Sequence, residues 1–204
     1  MAIPVKPVTP RGEQTRQNLL AAAEQEFGEK GFHQASISSI TQRAGVAQGT
    51  FYIYYSSKED ILVALVQHMG RKMRHALTEA IEGAGDRLSE EKRGLTHFLR
   101  FARDNKNLYR VLMECQFVDA EKHRKHYEDL AQVYAARLKK AQEAGQIRKA
   151  DPYAQALVLM GIGHFLGLRY SIWEDDLPPP EVLNTVLEFI ERGLAPEPAE
   201  IESP

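Results

Sequence analysis

Ser36-Ile37-Ser38-Ser39-Ile40-Thr41-Gln42-Arg43-Ala44-Gly45-Val46-Ala47-Gln48-Gly49-Thr50-Phe51-Tyr52-Ile53-Tyr54-Tyr55-Ser56-Ser57-Lys58 is the stretch that decides the fold of this 204-residue chain. Two short helices are predicted, Ser38 to Ala44 and Ala47 to Tyr54, with Gly45 supplying the backbone freedom that a sharp turn between them requires. Ile37, Ile40 and Val46 pack the first helix against the second and push the second outward. Its outer face then carries Gln48, Thr50, Tyr52 and Tyr54, polar or amphipathic groups suited to base edges and phosphates, while Gly49 admits close backbone approach. The N-terminal ends of both helices favour phosphate as well.

Outward from this stretch the chain reads as helix nearly everywhere. Leu20, Ala23 and Phe27 recur at helical spacing before Gly31, which predicts a first helix over Glu13 to Lys30. A longer helix starts at Ser57, with Asp60 as the acidic partner in its first turn and Ile61, Leu65 and Met69 along one face. After a break at Gly83 to Asp86, Ser89 with Glu90 and Glu91 predicts another capped start, with Leu95, Phe98, Leu99 and Ala102 as its buried face. Asn105 to Cys115 reads as a short helix and Ala120 to Ala144 as a long one ended by Gly145. Asp151 and Pro152 open an apolar helix to about Trp173. Pro180 to Arg192 reads as the last helix, with Val182, Val186, Phe189 and Ile190 on one side, and the acidic tail from Ala195 is expected to be disordered. The fold expected is all-α, about nine helices in total. Its parts are an N-terminal arm and helix-turn-helix over 1–58, a connecting helix over 59–84, a second helical domain over 85–194 and the tail over 195–204.

Composition sets bounds. Apolar and charged residues make up 43% and 26% of the chain, ordinary for a globular protein. Cys115 is the only cysteine, which rules out an internal disulfide and a cysteine-rich zinc site. No apolar run resembles a signal peptide or a membrane span, so a soluble, cytoplasmic protein is expected. The net charge of −2 conceals a gradient: nine Lys/Arg against six Asp/Glu over Met1 to His75, but one arginine against nine acids over Glu174 to Pro204. A mildly basic N-terminal region is compatible with nucleic acid while the acidic end stays clear of phosphates.

The run closely resembles the DNA-binding domain of the TetR family of bacterial transcriptional regulators. Ala22, Ala23, Phe27, Gly31 and Phe32 match the family's first helix, and Ile40, Ala44, Gly45, Val46, Gly49, Tyr52, Tyr54, Lys58 and Ile61 match its helix-turn-helix pattern. The resemblance covers Gln14 to Leu65. Thr41 stands where the family has alanine, Ala47 where it has a capping serine, Ile53 at a frequently polar or aromatic position, and Tyr55 in place of phenylalanine. The resemblance implies that Ser38, Gln42 and Arg43 lie at or near the backbone-contacting helix, that Gln48, Thr50, Tyr52 and Ile53 face the major groove, and that Tyr54 and Lys58 grip phosphates. Ala47 and Gly49 belong to the same surface, without the hydroxyl contact that serine would make at 47. Arg11 and Arg16 reach flanking phosphate or remain solvated. Since one such domain touches few bases, two are needed about 34–36 Å apart on double-stranded operator DNA, hence a homodimer on a near-palindromic site.

Family likeness also implies that the later helices form a dimer interface and a small-molecule pocket. Gly163 and Gly167 beside Leu159, Leu166 and Tyr170, together with Val182, Val186, Phe189 and Ile190, make the candidate interface. The alternative is that the glycines relieve crowding inside one subunit. Phe98, Phe101, Tyr109, Met113, Phe117, Tyr127, Tyr134, His164, Phe165 and Trp173 are the candidates for lining an apolar or aromatic effector's cavity, with ordinary core packing as the alternative for each. His123 and His126 sit three apart, a spacing open to metal, but Arg124 and Lys125 between them favour a solvated basic patch, and no metal or cofactor is expected. No phosphate loop, zincin signature or nucleophile motif occurs, so the expectation is a ligand-responsive repressor and no enzyme. The alternatives are a regulator controlled by a protein partner or acting as an activator, and a helical enzyme or scaffold.

Overall fold

The computed structural model describes residues 9–196, so the expectation for the tail falls mostly outside the described residues. Among them are nine α-helices and no strand: α1 (Pro10–Lys30), α2 (Ile37–Ala44), α3 (Gln48–Tyr54), α4 (Lys58–Ile81), α5 (Arg87–Asp104), α6 (Lys106–Val118), α7 (Ala120–Glu143), α8 (Pro152–Leu166) and α9 (Pro180–Leu194). A π-helical segment, Gly167–Glu174, continues α8. The chain packs as two compact units. One holds the chain up to Lys72 together with Asn105–His126, and the other holds Met73–Asp104 together with the chain from Tyr127 onward.

Helix starts follow local chemistry, with two departures from expectation. α1 begins at Pro10 instead of Glu13, because proline at the first helical position gives up an N–H that would be unpaired anyway and the Thr9 hydroxyl accepts the Gly12 N–H at 3.1 Å. α5 is capped by Asp86, whose carboxylate accepts the Ser89 N–H at 2.8 Å. Ser89 is therefore inside the first turn and receives the cap instead of supplying it. Asp151 caps α8 as expected, accepting the Ala154 N–H at 2.7 Å ahead of Pro152.

In the first unit Leu19, Leu20, Ala23, Phe27, Phe32, Ile40, Phe51, Ile61, Leu62 and Leu65 form the buried interior. α1 packs against both α2 and α6. The approach of α6 is close: a Cβ added to Gly28 would sit 2.3 Å from Asn107 Cγ and 2.5 Å from Asn107 Cβ. Arg110 Nη1 donates to the Gly28 carbonyl at 3.3 Å, and the Phe32 N–H donates to Glu114 Oε2 at 2.7 Å. One face of α6, Asn107, Arg110 and Glu114, is thus seated on the end of α1.

The second unit is built around Leu138, Ala141, Ile147, Ala156, Leu159, Ile190 and Leu194. Beside this cluster is a buried polar group that the sequence did not announce. Arg87 and Glu91, both nearly inaccessible, form an ion pair. The Tyr134 hydroxyl donates to Glu91 Oε2, and Arg87 Nη1 meets Glu90 Oε2 at 2.9 Å. Burial foremost, then the Glu91 charge, raises the Tyr134 phenol far above its ordinary pKa, which keeps it a donor. α8 with its π-helical continuation also departs from expectation. Pro152–Glu174 is long and apolar enough, by length and composition alone, to cross a membrane, and much of its apolar surface faces outward.

Candidate nucleic-acid interface

The helix-turn-helix is assembled by interactions local to it. Ser36 and Ser39 exchange caps, Ser36 Oγ accepting the Ser39 N–H at 3.0 Å and Ser39 Oγ accepting the Ser36 N–H at 3.1 Å. At the other end of α2, Gly45 adopts φ 68°, ψ 32°, and its N–H bonds to the Gln42 carbonyl while the Val46 N–H bonds to that of Thr41. This pair of bonds is the glycine-terminated closure that satisfies a helix's last carbonyls. Thr41 is buried without penalty because its hydroxyl donates back to the Ile37 and Ser38 carbonyls, which is how it substitutes for alanine.

α3 is fixed from beneath by Phe51, fully buried, whose ring meets those of Tyr52 and Tyr55 at 5.5 and 5.7 Å. Its opposite side is open. Gln48, Gly49, Tyr52 and Ile53 are exposed, Thr50 and Tyr54 half-buried, and Ser38 and Gln42 are exposed on α2. Nothing lies within 4 Å of where a Gly49 Cβ would be, so the fold itself leaves room for a side chain there. Ala47 opens α3 with extended backbone and no side-chain cap.

Two residues expected at this surface are engaged elsewhere. Arg43 is tied to α1: Nε to Glu26 Oε1 at 2.7 Å, Nη2 to Glu29 Oε2 at 2.6 Å and Nη1 to Gln25 Oε1 at 3.0 Å. Lys58 points into the turn after α1, donating to the Phe32 and Ala35 carbonyls at 2.7 and 2.9 Å with Nζ 4.4 Å from the centre of the Phe32 ring. Arg16 pairs with Glu13 at 2.6 Å, while Arg11 is exposed. Glu26 escaped the sequence reading, although an acid in step with Leu19, Ala22 and Ala23 was a signal. Burial alone would raise its carboxyl, but hydrogen bonds from Lys30, Ser39 and Arg43 together hold it below the usual range.

The pattern describing the tetR family of bacterial regulatory proteins matches residues 19–65, the part of the chain just built. The helix-turn-helix region belongs to the tetR family. The HTH-type transcriptional regulator YdgC of Bacillus subtilis is 41% identical over 71 residues, 35% of this chain and 36% of its own length. The fatty acid metabolism regulator protein of the same organism is 47% identical over 47 residues, 23% of this chain and 24% of its own. The chain therefore spans about a quarter to a third of the length of these relatives. Beyond the tetR domain the likeness is one of fold: the crystal structure of FadR from Bacillus subtilis in complex with stearoyl-CoA superposes with TM-score 0.76 at 22% identity, covering 87% of this chain and 98% of that one.

The other candidate residues are divided between the units. Tyr109, Met113 and Phe117 lie on α6 in the tetR-domain unit; Tyr109 is buried, whereas Phe117 is 80% exposed. In the second unit Phe165 and Trp173 are each 59% exposed and meet edge to face at 6.2 Å, so they line no interior surface of that unit. Tyr134 is committed to Glu91 and Arg87. Phe98, Phe101, Tyr127 and His164 remain partly buried, and Tyr127 Oη lies 3.4 Å from His164 Nδ1. Burial raises the Tyr127 pKa to about 12 and lowers that of His164, leaving an uncharged donor–acceptor pair.

Most residues expected at a dimer interface do not face outward. Leu159, Gly163, Leu166, Gly167 and Ile190 are buried inside their own unit, and a Cβ on Gly163 would meet Phe98 and Leu95 at ordinary contact distances of 3.5 and 3.7 Å. Tyr170, Val182 and Val186 are half-buried. The outward apolar face consists instead of Leu157, Val158, Phe165 and Trp173, with Gly161 open to space between them, and of Phe189 on α9.

Proposed function

We propose that this chain is a sequence-specific DNA-binding transcriptional regulator that acts in the cytoplasm as a homodimer on a near-palindromic operator. The observation that carries this is the open face of α3, where Gln48, Thr50, Tyr52 and Ile53 stand over a buried Phe51 and Gly49 leaves space for a close phosphate backbone. Ser38, Gln42, Ala47 and Tyr54 flank this face. Alanine at both Gln48 and Tyr52 is expected to abolish selection of a duplex from a randomised pool, at about 1–3 kcal/mol per lost base contact in each half-site, with helical circular dichroism unchanged. Parent-like selection by this variant would remove the proposal.

Dimerisation is assigned to the outward apolar face of α8 and α9. Leu157→Glu and Phe165→Glu place charges on that face and are expected to halve the sedimenting mass and weaken operator binding about 10²-fold or more through lost avidity. A variant that remains dimeric would move the interface elsewhere.

Control by a small apolar ligand is supported by Tyr127 and His164, an uncharged and partly buried pair, with Phe98 against the neighbouring Gly163. A ligand releases DNA only by binding the release-competent state more tightly than the operator-bound one. Two of the compared proteins are a fatty acid metabolism regulator and a FadR bound to stearoyl-CoA, so long-chain acyl thioesters head the panel of compounds to test by gel shift. A reporter strain distinguishes repression from activation, and FasR from Mycolicibacterium smegmatis, 28% identical over 109 residues, is an HTH-type transcriptional activator.

A further inference from the structure

We infer that Arg43 and Lys58, the two cations of the helix-turn-helix, are positioning residues that fix the reading helix from behind, and that the face it offers DNA is uncharged. This rests on the DNA-binding reading above. From Ser36 to Ser57 the sequence contains one charged residue, Arg43, and Lys58 follows immediately. Every nitrogen of the Arg43 guanidinium meets an acceptor on α1, and Glu26, one of those acceptors, is itself buried with its second oxygen on Lys30 at 2.7 Å. Turning Arg43 toward a phosphate would take a charged partner away from a buried carboxylate, a costly loss.

Lys58 is held as firmly. Its ammonium has three protons; two go to the Phe32 and Ala35 carbonyls, the His33 carbonyl lies at 3.5 Å, and the Phe32 ring covers the remaining side. These contacts bind the turn between α1 and α2 to the start of α4, and the Arg43 contacts bind α2 to α1. α3 lies between α2 and α4 in the chain, so the two ties fix both of its flanks. Gln42, Gln48, Thr50, Tyr52 and Ile53 are left to meet the duplex, and none is a lysine, arginine, aspartate or glutamate.

The two roles differ in how binding responds to salt. A cation on a phosphate adds about 0.9 to the slope of log affinity against log salt, whereas a positioning residue changes affinity without changing that slope. The experiment compares the full chain with its Lys58→Arg, Lys58→Met and Arg43→Met variants. Affinity for a duplex selected by the parent from a randomised pool is measured at several salt concentrations, at a temperature where each variant is folded, alongside thermal melting. Lys58→Arg keeps the charge but puts a larger planar group into the carbonyl cage. Its melting point is expected to fall by about 2–6 °C, and its affinity several-fold at every salt concentration with the parental slope.

A slope lowered by about 0.9 per protomer in Lys58→Met or Arg43→Met would overturn the inference. So would parental melting of Lys58→Arg and Arg43→Met, or parental affinity in variants that melt early, which would make the ties structural only. Failure of Lys58→Met to fold supports the tie, because removing a solvent-facing phosphate ligand leaves a fold intact. If the parent selects no duplex, the DNA-binding reading fails while the melting of Lys58→Arg still decides the tie.

Discussion

An Arg87→Met variant is expected to melt about 6–12 °C below the parent, from about 3 kcal/mol of lost stability in a chain of this size. Arg87 and Glu91 are almost wholly withdrawn from water, and methionine matches much of the arginine stem's volume while removing the charge. Glu91 then retains the Tyr134 hydroxyl as donor but has no cation, and an uncompensated buried carboxylate is what makes breaking such a pair costly. Loss of the cation also removes a guanidinium 5.5 Å from the Tyr134 ring centre. The second half of the test is Arg87→Met with Glu91→Leu. Removing both charges is expected to restore most of the melting point, because the penalty comes from the unpaired charge and not from the absence of a salt bridge. Thermal melts of the single and double variants check this, and a double variant no better than the single one would contradict the account.

Gly28→Ala is the second large effect, expected to cost about 1–3 kcal/mol. Alanine is ordinarily the better helix residue, so the sign is opposite to that of a mid-helix glycine replacement on a free surface. A Cβ at this position would overlap the Cβ, Cγ and Oδ1 of Asn107, all within 2.5 Å. Since Asn107 Cβ cannot rotate away, α6 must withdraw from α1, and the Arg110 to Gly28 and Phe32 to Glu114 hydrogen bonds are strained with it. Asn107→Gly in the same chain removes the overlapping atoms and is expected to recover part of the loss. Urea denaturation of the four chains of this cycle yields the coupling directly; additive effects would mean that the two positions do not meet.

What the sequence disclosed was local. The Gly45 turn, Pro152 behind Asp151 and the apolar stripe ending at Met69 each depend on neighbours within a turn or two, and all of these are where the pattern placed them; the Ser36 cap is as local, but the pattern started that helix at Ser38 and missed it. The misplaced residues depend on distant partners or on helix rotation. Arg43 and Lys58 fit a phosphate-binding pattern until Glu26, Glu29 and the Phe32 carbonyl are seen beside them. Gly161 and Gly163 differ by two residues, about 200° around a helix, and composition alone does not tell which of them faces inward. The seat of α6 on α1 joins parts of the chain far apart in sequence through a glycine and an asparagine, Gly28 and Asn107, neither of which carries a hydrophobic signal. Arg87 and Glu91 have a four-residue spacing on α5 that surface pairs share, and nothing local marks them as interior; only Tyr134 and the packing around it do.

The ties on Arg43 have a consequence at the scale of a genome. Loose, sequence-blind adhesion to a chromosome is governed by cations meeting phosphates, and millions of ordinary sites compete with one operator for every copy of a regulator. A reading head whose arginine is already neutralised by Glu26 and Glu29 adds little to that competition. If the chain acts on an operator as proposed, fewer molecules would be sequestered on irrelevant sequence, and a small cellular stock would suffice to keep the operator occupied.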